Sequence, residues 1–505
     1  SDWSSDVCSS DLAFLLAICL VFSLAGCSEE EPEETDGALA ANQTAAADDT
    51  QGESWAIYWY LCGSDLESEY QAATSDLMEM EQVALPENVT VVIETGGSYE
   101  WSHPAVEAGQ LGRYVYTGDT LEMVDALPNA NMGAPETLED FLRFCTENYP
   151  ADRTMLVFWN HGGGSLSGVA FDETFDNDSL SLPEIYSAVA SACTLSREDP
   201  PFDVVGFDAC LMATYEMAVH LPSYADYMVA SEELEPSLGW SYDGWLGDLA
   251  ANPEMKSADI AVSMVDRYME ACLSNNPNDY LSLSVIDLSV VPTLLRQVET
   301  YSAYLTEALE NGQLPTISRA RQRMYPFGKF ADSSTDMVDF MAFLDATRQF
   351  APNMASQIES TYRTAIHYSL GTDMFDYLTG MSILVPGSNV SEFVTNFDEQ
   401  YDCGEKYPNY SQFTYGYATL LAGGNYTFTL QAPTQASVAV TGGLSDTMLN
   451  TVFIPGGTYV APEDASNSAA EPAPSQPPTG GSGWSGFGSV LSGSITPDDN
   501  ENEEE

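Results

Sequence analysis

Two short stretches hold side chains that could act together. "FWNHGGG", residues 158–164, ends an apolar run in a histidine and three glycines; "FDAC", residues 207–210, ends another in a cysteine. Only four histidines occur in 505 residues, so His161 at a predicted strand end is informative. Alone, it could cradle a phosphate, bind a metal, serve as a catalytic base or simply close a strand. A phosphate loop calls for GxxxxGK[ST], and no lysine lies near 162–168. Zinc calls for more spaced His or Cys ligands than the chain offers. Cys210 follows His161 by 49 residues, enough for one helical crossover between parallel strands. Neighbouring strand ends would set a thiol nucleophile beside an imidazole partner, the pairing that cysteine acyl transfer needs. The bland alternatives are a structural histidine and a buried apolar cysteine.

The elements around these residues must bring the two ends together. "SWAIYWYLCG", "NVTVVIETGG", "GRYVYTGD", "RTMLVFW", "FDVVGFDAC" and "ADYMVASEE" read as strands, with helical periods between, as in "ETLEDFLRFCTENYP" and "LPEIYSAVASACTLS". Nearly continuous apolar runs such as TMLVFW fit parallel strands covered on both faces. The fold class is therefore α/β with a mostly parallel central sheet. In such sheets ligand sites lie at the carboxyl ends of the strands, where both His161 and Cys210 fall. The helical pattern "LMATYEMAVHL" after Cys210 predicts a helix N-terminus beside the thiol, which would favour the thiolate. From 251 to about 380 longer helices dominate. "YLTGMSILVPGS" reads as one more strand, and "YTFTLQAP" with "ASVAVTG" as a closing hairpin.

Composition narrows the partners. With 14 Lys+Arg against 77 Asp+Glu, the net charge is −63. A nucleic-acid partner needs basic patches to displace counterions, so that class is excluded. Residues 12–27, "LAFLLAICLVFSLAGC", form an apolar segment of signal-peptide length closing in small residues before Cys27. That ending resembles a bacterial lipobox, which implies lipid attachment at Cys27 and an extracytoplasmic body anchored to the membrane at the bacterial cell surface. Residues 1–11 carry no Lys or Arg and are set aside from the fold reading. An acidic, non-aromatic tether over 28–53 and a Pro/Gly/Ser-rich acidic tail over 461–505 cannot bury enough surface to fold. The globular expectation is 54–250 for the α/β part, 251–430 for a helix-rich part and 431–460 for a short β segment. Six of the nine cysteines lie beyond Cys27, too widely spaced for a metal ribbon. No cofactor is required by these residues. Calcium is entertained only for the carboxylate-dense "DETFDNDS", 172–179, which does not match an EF-hand loop.

"NHGGG" and "DACLMA", with "YLCGSDLES" closing the first strand, together resemble the clostripain family of cysteine peptidases; "TDMVDF" and "TGMSILVP" extend the likeness over roughly residues 54–425. The resemblance implies a caspase-like three-layer fold and an endopeptidase acting on peptide or protein substrates, expected as a monomer. It makes Cys210 the nucleophile, His161 the general acid, and the backbone N–H groups of Gly162 and Cys210 the oxyanion hole. It places Asp208 in the pocket for an Arg or Lys side chain, and Ser231 and Glu232 beside the substrate. The loop "LEPSLGWSY" departs from the pattern: no acidic residue stands just before Gly239, and Glu235 is offset. Arg197, the only basic residue between His161 and Cys210, is the candidate for self-processing. The alternative function is a non-catalytic peptide-binding surface lipoprotein with the same fold.

Overall fold

A computed structural model describes residues 53–328, 335–372, 378–387, 390–391, 393–395, 407–428 and 459–460. The leader with Cys27, most of the tether and the tail lie outside these residues. Strands in chain order are β1 (Trp55–Cys62), β2 (Val89–Gly96), β3 (Gln110–Tyr116), β4 (Leu121–Pro128), β5 (Arg153–Trp159), β6 (Val169–Asp172), β7 (Asp178–Leu180), β8 (Phe202–Asp208), β9 (Ala225–Ala230), β10 (Ser282–Asp287), β11 (Met337–Asp339), β12 (Ile366–Gly371) and β13 (Ser382–Leu384). The main sheet has the order β12-β10-β9-β8-β5-β1-β2-β3-β4. Its centre, from β9 to β2, is parallel, and β3, β4, β10 and β12 add antiparallel edges.

The centre is parallel because its strands are apolar on both faces. In β1, Trp55, Ile57, Trp59 and Leu61 enter the core beneath the helices Ala72–Met80, Tyr242–Ala251 and Ser257–Asn275. Ala56, Tyr58, Tyr60 and Cys62 enter the opposite core, shared with Pro135–Asn148, Leu182–Ala192 and Val291–Glu310. Every residue of β1 is buried, and each large apolar side chain so placed contributes roughly 2 kcal/mol. The result is the expected three-layer α/β arrangement.

The later part of the chain completes this body. β10 and β12 extend the main sheet. β13 docks on the segment after Cys210, where Ser382 N–H donates to the Ala213 carbonyl at 2.8 Å. The strand predicted near 377 shrinks to β13, paired with β11. The predicted closing hairpin lies largely outside the described residues; Asn425–Tyr426 pairs with Tyr459–Val460.

Candidate active site

The two strand ends meet. β5 and β8 are parallel neighbours in a register that pairs Trp159 with Asp208, and two residues further each chain reaches His161 and Cys210. A Cβ added to Gly162 would stand 1.9 Å from the Cys210 carbonyl oxygen, so only glycine admits this approach. Among the described residues, the Gly162 and Cys210 N–H groups have no protein acceptor. Their neighbours do: Gly163 donates to the Gly168 carbonyl at 2.8 Å and Leu211 to the Glu233 carbonyl at 3.1 Å. Two uncommitted amides beside a thiol can hold the oxyanion of an acyl-transfer intermediate. Leu211, directly after the thiol, holds φ 68. A bulky residue in that region is strained, and such strain gathers at sites that the surroundings over-determine.

His161 is oriented by a residue that sequence reasoning passed over. Its Nε2 lies 2.7 Å from Asp65 Oδ1, and because a carboxylate only accepts, the ring donates. Asp65 sits on the short helix Ser64–Ser68 that follows β1. Burial alone would raise its carboxyl, but hydrogen bonds from His161 and Ser64 and the charge of His161 outweigh that and hold it below the ordinary carboxylate value. Asn160 fastens the same corner. Its amide nitrogen donates to the Cys62 carbonyl at 2.7 Å and to Ser64 Oγ at 2.8 Å, and its oxygen accepts from Phe171 N–H at 2.6 Å. Nothing marked Asp65 beforehand except its place inside "YLCGSDLES".

The thiol is half-buried and accepts a hydrogen bond from Glu235 N–H at 3.1 Å. Burial first, then the charge of Glu235, pushes it up to about 12. This corrects the expected thiolate-favouring helix end: the helix begins only at Tyr215, and its cap, Thr214, is spent on Met217 N–H at 3.0 Å.

Asp208 lies under the thiol, where it accepts from Tyr242 Oη at 2.9 Å and from Trp240 N–H at 3.4 Å. Burial pushes its carboxyl up to about 7. Glu235 joins it despite its offset in sequence. The chain turns back between Pro236 and Gly239, closed by Gly239 N–H donating to the Pro236 carbonyl at 3.0 Å, and burial followed by the charge of Asp208 raises Glu235 well above its ordinary value.

Ser231 and Glu232 are wholly buried: Ser231 Oγ bonds Ser282 Oγ at 2.7 Å, and Glu232 accepts from Gly380 N–H at 2.8 Å. Their side chains brace β10 and the 380 turn. Arg197 is exposed and precedes the start of β8, at the opposite end of that strand from Cys210. A seven-residue strand separates them by about 20 Å. The carboxylates of 172–179 serve locally: Asp172 accepts from Met132 N–H at 2.9 Å and from Thr174 N–H at 2.8 Å. Among the described residues no group of three or more His, Cys, Asp or Glu is arranged to hold a metal ion. Cys62, Cys145, Cys193, Cys210 and Cys272 are free thiols.

Residues 59–421 match the family model described as the clostripain family. The chain is 22% identical over 317 residues to clostripain of Hathewaya histolytica, covering 54% of this chain and 59% of that protein's length. It is similar in structure to a secreted C11 cysteine protease from Bacteroides thetaiotaomicron solved with an irreversible peptide inhibitor, at a TM-score of 0.52 and 17% identity, covering 69% of this chain and 97% of that one. An inactive zymogen C11 protease from Parabacteroides distasonis gives a TM-score of 0.52 and 17% identity, covering 72% and 99%. At these identities the structural likeness concerns the fold.

Proposed function

The chain belongs to the clostripain family, and from that premise we propose that it is a cysteine endopeptidase. Cys210 Sγ attacks the substrate carbonyl, and its proton passes to His161. The carbonyl electrons move to the oxygen, which the N–H groups of Gly162 and Cys210 receive. Collapse breaks the C–N bond, and the imidazolium protonates the leaving amine. Water then cleaves the thioester, with His161 taking its proton. Asp65 stabilises the imidazolium and keeps the ring in place. The single observation that carries this reading is the Gly162–Cys210 approach, which puts two uncommitted amides beside a thiol.

Asp208 and Glu235 at the base of the site favour cleavage after Arg or Lys. In the free chain, burial and these acid groups keep the thiol neutral; a cationic side chain beside them offsets the second cause. We also place the protein outside the cytoplasm, lipid-anchored through Cys27 and acting as a monomer on peptide or protein substrates. Among the described residues no helix is long and apolar enough to cross a membrane.

The test is a fluorogenic peptide panel varied at P1, run on the wild type and Cys210→Ala. The wild type is expected to cleave basic-P1 peptides fastest and the variant to show no turnover above background. A wild type that cleaves nothing, or a variant that keeps its rate, would overturn the proposal.

A further inference from the structure

Beneath the active site a third carboxylate joins Asp208 and Glu235. Asp76, on the helix Ala72–Met80, is buried, and its Oδ2 accepts from Trp159 Nε1 at 2.6 Å. Gly239 marks the point where Asp76 and Asp208 converge. A Cβ placed there would lie 3.2 Å from Asp76 Oδ2 and 3.5 Å from both oxygens of Asp208.

The cluster holds no cation of its own: among the described residues, no ion pair involves Asp76, Asp208 or Glu235. An unused polar atom faces it. The hydroxyl of Tyr268, a residue that is 0% exposed, is buried without a hydrogen-bond partner, and the Glu235 carboxyl is held by Trp240 and Asp208 alone. Tyr268 lies within electrostatic reach of Glu235, Cys210 and Asp208. Buried polar groups without partners are costly and point to a ligand that would satisfy them.

We propose that Asp76 is a specificity-determining residue, the third carboxylate of the P1 pocket, and that a cationic P1 side chain enters by displacing protons the three acids hold. The proposal rests on the peptidase reading above. Three buried carboxyls at close quarters cannot all ionise without a counter-charge. Burial, then the charges of Asp208 and Glu79, raises Asp76.

The titratable groups facing it come from every side: Glu67 on the helix after β1, Glu79 on its own helix, Asp208 at the end of β8, and Tyr242 on the helix Tyr242–Ala251. Glu235, Tyr268 and Cys272 complete the wall around Asp208. All are acids, so each cation that enters releases protons to solvent. Binding of a cationic P1 side chain therefore strengthens as pH rises through the range in which the three raised acids give up their protons. A neutral isostere gains nothing.

The experiment uses the full chain and two fluorogenic peptides that differ only in P1, arginine or citrulline. In the wild type, KM for the arginine peptide is expected to fall with rising pH by up to about tenfold per pH unit for each proton exchanged, while KM for citrulline stays flat. Asp76→Asn keeps an acceptor for Trp159. It is expected to cut the arginine-to-citrulline ratio of kcat/KM by at least about tenfold and to flatten the pH slope. An unchanged ratio and slope would overturn the proposal and leave the peptidase reading intact. A wild type that cleaves neither peptide would overturn both. Should Asp76→Asn fail to fold, calorimetry of wild type with peptide aldehydes in two buffers of different ionisation heat decides. Arginine at P1 should release more protons than citrulline near pH 6, and equal release would overturn the proposal.

Discussion

His161→Ala is expected to lower kcat on a basic-P1 peptide by about a thousandfold or more. The ring is asked to take the thiol proton and return it to the leaving amine, and no other histidine shares this corner. A thiol pushed up to about 12 by burial and Glu235 has little ionised fraction without that partner, so the loss is larger here than for a pre-ionised cysteine. Asp65→Asn should fall between the variant and the wild type, at about a hundredfold, because the 2.7 Å contact with Nε2 fixes the tautomer and balances the imidazolium charge. Steady-state kcat for both variants checks the assignment. A fully active Asp65→Asn would reduce Asp65 to a turn residue.

Gly162→Ala is expected to remove nearly all turnover for a different reason. Its Cβ would stand 1.9 Å from the Cys210 carbonyl oxygen and 3.0 Å from the Cys210 nitrogen. The obstacle is backbone, which cannot swing aside as a side chain would. Relief must push β5 and β8 apart at their ends, which moves one amide away from the oxyanion position. Loss of one such donor costs about a hundred- to a thousandfold in rate, and overpacking of this kind costs about 1–3 kcal/mol of stability. Gly247→Ala is the control: a Cβ there meets nothing within 4 Å and the position is inside the helix Tyr242–Ala251, so turnover should match the wild type and melting should not fall. Thermal melts and kcat on the same preparations separate lost folding from a lost oxyanion site.

The legible parts of this molecule were those written in contiguous residues. β1, β5 and β8 announced themselves as apolar runs because both their faces are covered. β4 was missed because it is an edge strand, mostly exposed beyond Leu121. β10 was missed because it buries serines: Ser284 Oγ bonds Ser369 Oγ at 2.9 Å, and Ser282 Oγ bonds Ser231 Oγ, so a run that reads as polar is satisfied across the sheet. Histidine and cysteine at strand ends were visible from their types and spacing. Asp65 and Asp76 were not, and Glu235 read only as offset, because they reach the site from a short helix, a second helix and a turn. Only folding brings together carboxylates separated by so much chain.

Covalent labelling tests the central claim most directly. The wild-type chain is incubated with a thiol-reactive peptidyl probe carrying a basic P1 residue, and the adduct is mapped by peptide mass spectrometry. One adduct on Cys210 is expected, with none on Cys62, Cys145, Cys193 or Cys272, none in Cys210→Ala and much slower labelling in His161→Ala. An adduct on a different cysteine, or labelling that survives in Cys210→Ala, would contradict the assignment of Cys210 as nucleophile.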